Sequence, residues 1–124
     1  MDYDKLLTLS GELGYHLLLS GAEIYRVEES VRYLLQAYGA GPGEVFAIPN
    51  CLMVSLTSPD GRPVTQIRRM PTHGTDIYLL EKYNGLCRRL CRETPAFEEA
   101  LEQMEAITRT HRVYSLPTQL AAHF

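Results

Sequence analysis

The stretch from Glu44 to Met70 constrains this chain more than any other. Short apolar runs rich in Val, Ile, Phe and Leu are cut there by turn chemistry, first at Pro49-Asn50 and again at Ser58-Pro-Asp-Gly-Arg-Pro63. Leu52, Val54 and Leu56 alternate with Cys51, Met53 and Ser55, so the middle run has one apolar face and one mixed face. Connections this short allow only antiparallel pairing, because a parallel return needs a crossover of roughly a dozen residues or more. The reading is three strands, Glu44–Pro49, Cys51–Thr57 and Val64–Met70, in an antiparallel meander.

Such a sheet needs cover on its apolar face, and helical periodicity on both sides of it supplies that cover. A first helix is expected from about Asp4 to Leu19. Leu6, Leu9, Leu13 and Leu17 form its main stripe, while Leu7 and Leu18 lie on another side beside Gly11 and Gly14, so it is buried on more than one side. Gly14 costs about 1 kcal/mol against alanine in a helix interior, which points to another backbone close by, with the second helix as natural partner. That second helix places Ile24, Val27, Val31, Leu34, Leu35 and Tyr38 on one stripe, and Gly39, Gly41 and Pro42 end it. Ser20 and Glu23 have capping-box spacing, so it is expected to open at Ser20. Glu23 and Glu28 sit at the borders of its stripe, and Glu28 with Arg32 forms a favourable i,i+4 pair. A third helix is expected from Thr75 to Arg92, with Leu79, Leu80, Tyr83, Leu86, Cys87, Leu90 and Cys91 forming its apolar stripe. Thr94-Pro95 then opens a fourth, with an N-cap and a proline at its first position, burying Phe97, Leu101, Met104 and Ile107. The fold class is α+β: a three-stranded antiparallel meander with four helices, in the order α-α-β-β-β-α-α.

One domain accounts for 124 residues. Twelve basic against fifteen acidic side chains leave a formal charge of −3, which argues against general nucleic-acid affinity. Three cysteines, an odd number without framework spacing, suit a reducing compartment. The Leu-rich start is interrupted by Glu12, Tyr15 and His16 and lacks the basic leader of a secretory signal. No stretch approaches the roughly 18 consecutive apolar residues of a membrane span.

Four segments in order carry a family resemblance. They are Ser20-Gly-Ala-Glu-Ile-Tyr-Arg-Val-Glu-Glu29; Val45-Phe-Ala-Ile-Pro49; Gln66-Ile-Arg-Arg-Met-Pro71 with Gly74-Thr-Asp76; and Tyr83-Asn-Gly-Leu-Cys-Arg-Arg89. Together they resemble the cytosolic N-terminal domain of the threonine/serine exporter family, over roughly residues 10 to 110. The resemblance implies a whole protein that moves small hydrophilic metabolites outward on an ion gradient, with threonine and serine as the named substrates. It implies that residues 1–112 form a soluble domain at the cytoplasmic face of the cell membrane. Residues 113–124, apolar after Arg109-Thr-His-Arg112, would then begin the segment leading to a membrane domain of several helices. The domain itself would serve assembly, gating or regulation, with the membrane domain of the same or a companion chain as partner, and without cofactor, metal or enzymatic activity.

Candidate chemistry is thin beside this. Cys87 and Cys91, one helical turn apart, could supply half of a metal site, but both lie in the apolar stripe and read as core thiols. Glu23, Glu28 and Asp76 could be joined with His16 or His73 into a hydrolase-like reading, although no nucleophile elbow, metal-binding helix motif or phosphate loop is present. A small-molecule sensor with a closed apolar cavity ringed by Arg and Asp is a further alternative. Of Arg68 and Arg69, neighbours on a strand, one must point toward the helices and needs a carboxylate there. The expected polar network joins Glu23 or Glu28, Arg68 or Arg69, and Asp76 between the second helix and the sheet. Ser20, Arg26 and Asn84, which stand within the resembling segments, complete the candidate binding residues. Tyr25 and Tyr33 on the outward face of the second helix suggest a protein interface, hence a homo-oligomer.

Overall fold

The computed structural model describes residues 2–40, 43–71 and 74–122, with side chains through residue 111. Its elements are α1 (Tyr3–Leu19), α2 (Ile24–Ala37), β1 (Glu44–Ile48), β2 (Cys51–Thr57), β3 (Pro63–Arg69), α3 (Ile77–Glu93) and α4 (Phe97–Ala122). The expected α+β class and element order are therefore present. Gly41, Pro42 and His73 lie outside the described residues, as do the side chains of the apolar run that follows residue 112.

The sheet has strand order β1-β2-β3, antiparallel throughout. Register pairs Phe46 with Met53 and Met53 with Ile67, so these three residues form one row across the sheet. Val45, Ala47, Leu52, Val54 and Leu56 point inward and are buried, as the two-residue period demands. The opposite face carries Phe46, Ile48 and Ile67 exposed, with Met53 and Cys51 half-buried.

Helix α1 lies at the centre, touching α2, β2, β3, α3 and α4. Its leucines explain the position: Leu6, Leu7, Leu9, Leu13, Leu17 and Leu18 are all buried, so no side of the helix can face water along its whole length. Gly14 makes room for this. A Cβ there would stand 2.6 Å from Leu52 Cδ2 and 3.0 Å from Val31 Cγ2. The close neighbours are thus side chains of β2 and α2, rather than the backbone of α2 alone.

Two expected helix starts are displaced for the same reason. Ser20 does not open α2. It closes α1, its backbone N–H donating to the His16 carbonyl, and Glu23 is the N-cap of α2 with no side-chain capping bond. The chain must reverse between α1 and α2, and it spends Ser20 and Gly21 on that turn. Gly21 has φ +98°, and a Cβ on it would meet Thr75 Cα at 2.8 Å. Thr94 behaves likewise: it is the left-handed C-cap of α3 (φ 41°), donating its N–H to the Leu90 carbonyl, and α4 begins only at Phe97. Tyr38 then clasps the turn, its hydroxyl donating to Pro95 O at 2.6 Å and its ring stacking on Phe97.

Candidate functional site

Where α1, β3, α3 and α4 converge, a polar cluster interrupts the apolar core. Glu12 of α1 accepts from Arg68 of β3 at 2.5 Å, and the Arg68 guanidinium lies over the Tyr15 ring, 4.4 Å from its centroid. One helical turn on, His16 Nε2 is 3.4 Å from the other Glu12 oxygen. The His16 imidazole stacks on Tyr83 with centroids 4.8 Å apart and planes 6° from parallel. The Tyr83 hydroxyl in turn bonds the Thr108 hydroxyl of α4. Beside the cluster runs a groove of about 390 Å³ that includes Thr8, Glu12, His16, Met104 and Thr108 in its wall.

The electrostatics of this cluster follow from its geometry. The bond with His16, and then the Arg68 guanidinium against the opposing pull of burial, hold the Glu12 carboxyl down at about 2. Burial pushes the Tyr83 phenol up. A carboxylate held this firmly by a cation is a poor proton acceptor near neutral pH. The arrangement is suited to locking elements together and to recognising charge, and less to moving protons.

The network expected between α2 and the sheet does not form. Arg68 meets Glu12 rather than Glu23, Glu28 or Asp76, because α1 rather than α2 packs over β3 while α2 packs against β1. Glu28 of α2 accordingly reaches edge strand β1, where it accepts the Ala47 N–H at 3.0 Å. Its expected pair with Arg32 is present, at 3.9 Å. Asp76 caps α3 by accepting the Leu79 N–H, and its other oxygen lies 3.2 Å from His111 Nε2 of α4. Ser20 is buried, and its carbonyl accepts the Asp76 N–H. Glu23 and Arg69 are exposed.

Arg26 and Asn84 do come together, across a groove of about 500 Å³ between α2 and α3 that also contains Ser30, Tyr33, Cys87 and Cys91. The two thiols perturb each other: Cys87 is pushed up by its bond to Cys91 and by burial, and Cys91 is lowered to about 7. Among the described residues, no cluster of three or more His, Cys, Asp or Glu could hold a metal ion.

Sequence reasoning missed Glu12, Tyr15, Tyr83 and Thr108 as members of one cluster, and His111 as the partner of Asp76. A signal existed for the first: Glu12 and His16 are an i,i+4 polar pair on a helix that is otherwise leucine-rich.

Among the described residues, no helix is long and apolar enough to cross a membrane. No curated protein and no solved structure matches the chain. The family model described as "Putative threonine/serine exporter" (ThrE) matches residues 8–124, from within α1 to the end of the chain. With nearly its whole length so matched, the chain belongs to the threonine/serine exporter family.

Proposed function

We propose that this chain is the cytosolic N-terminal domain of an exporter of threonine- and serine-like metabolites, seated at the cytoplasmic face of the cell membrane. Its part there is assembly, gating or regulation, and the translocation path belongs to a membrane domain of the same or a companion chain. The family match over residues 8–124 carries this reading. Two features of the fold support it. The apolar stripes of α1, α2 and α3 are consumed by contacts with one another and the sheet, which leaves them unavailable for lipid. The polar cluster Glu12–Arg68–Tyr15 ties α1 to β3, which suits a domain that serves assembly, gating or regulation.

The test is threonine efflux from cells preloaded with a threonine-containing dipeptide. Cells making this domain together with its membrane domain should clear internal threonine faster than cells making the membrane domain alone at equal membrane abundance. Equal efflux rates, with the abundance also unchanged, would overturn the reading.

A further inference from the structure

The face of the sheet turned away from the helices is apolar at its centre. Phe46 is 55% exposed, Ile48 40% and Ile67 64%, and register sets Phe46, Met53 and Ile67 side by side across all three strands. Two charges mark diagonal corners of the same face: Glu44 at the start of β1 and Arg69 at the end of β3. Both are exposed, and neither has an ion-pair partner among the described residues. From ordinary strand and residue spacings the two corners stand roughly 17 Å apart, with Met53 midway between them.

We propose that this face docks a second copy of the chain, sheet on sheet. A two-fold axis through Met53, perpendicular to the Glu44–Arg69 diagonal, sets each Glu44 over the partner's Arg69 and brings the apolar centres together. The strands then cross steeply, nearer the orthogonal class of sheet packing than the aligned one. The face is self-complementary in charge, as an isologous interface must be. An acidic partner, a basic partner or a phosphate-bearing lipid surface would satisfy only one corner. The Tyr25 and Tyr33 surface of α2 is exposed as expected, at 58% and 55%, but carries no comparable apolar row.

The contact is small. Three strands about 4.8 Å apart offer a projected face of roughly 300 Å², against about 800 Å² per partner in a standard interface. A dissociation constant on the order of 100 μM is therefore expected.

Sedimentation equilibrium of the chain from about 10 μM to 1 mM tests this. The expected result is a monomer–dimer equilibrium that Phe46→Glu abolishes and that Tyr25→Ser with Tyr33→Ser leaves unchanged. Glu44→Arg or Arg69→Glu alone should weaken the dimer by about 10-fold or more, since each sets like charges opposite at two symmetric places. The double reversal should recover affinity to within about 3-fold, and this rescue is independent of any effect of Phe46→Glu on folding. A monomeric mass at 1 mM would overturn the proposal, as would loss of the dimer in the double tyrosine variant or no recovery in the double reversal. Sedimentation with anionic lipid vesicles that Phe46→Glu prevents, without self-association, would assign the face to membrane and overturn it too.

Discussion

Glu12 shows how much one side chain can hold. Its carboxyl titrates at about 2 in the fold against an ordinary 4.5, so its ionised form is favoured by folding. That contribution is complete above pH 4.5 and is lost as the pH falls toward 2. Allowing for solvent screening at a carboxylate about one-third exposed, it amounts to on the order of 1–2 kcal/mol. Glu12→Gln should therefore flatten the fall in melting temperature between pH 4.5 and pH 2.5, while leaving a less stable protein at pH 7. The two arginines next to each other on β3 should separate cleanly. Arg68→Glu sets a second carboxylate against Glu12 and should cost roughly 2–4 kcal/mol in denaturant titration. Arg69→Glu, on the open face, should change monomer stability by no more than about 0.5 kcal/mol. Strand alternation alone dictated that one of this pair needs an acid on the helical side. Which acid it takes was not legible, because that depends on which helix lies over β3, and nothing local in the sequence of β3 reports it.

At the level of elements, the periodic signals were the legible ones. The alternation of β2, the leucines of α1 and the stripes of α2 and α3 all appear in the burial of the folded chain. The helix ends were misread twice, at Ser20 and at Thr94. Each residue has the side chain of a helix opener, yet each ends the preceding helix, because reversing the chain demands a turn at that point and the turn claims the residue first. Thr94 does so with φ 41°, a left-handed backbone that a β-branched residue adopts at a cost of roughly 1 kcal/mol or more. Thr94→Gly should accordingly raise stability by about 0.5–1 kcal/mol, read as a higher denaturant midpoint with an unchanged slope. Glu28 shows the opposite kind of illegibility. Its i,i+4 pairing with Arg32 was visible from spacing, whereas its bond to the Ala47 N–H on edge strand β1 requires knowing that α2 packs there. The same bond occupies a polar group on a strand that would otherwise be open to edge pairing.

Considered whole, the molecule is arranged around a single helix. Because α1 touches every helix and two of the three strands, damage to it should reach everywhere at once. Leu13 is fully buried, and Leu13→Ala should cost roughly 2–5 kcal/mol. Far-UV circular dichroism and tyrosine fluorescence should still lose signal at one common denaturant midpoint, the mark of a single cooperative unit. Two midpoints would mean that the sheet and the α3–α4 pair unfold apart. The turn held by Tyr38 and Pro95 has one more effect. From that fixed end α4 runs 26 residues, about 39 Å at the ordinary helical rise. Such a rod is pinned again at Tyr83–Thr108 and Asp76–His111, so a swing of about 5° about the turn, roughly 2 Å at His111, would have to stretch both bonds. Helix α4 is thus a strut braced at these three points, and a push at any one of them is shared by the others.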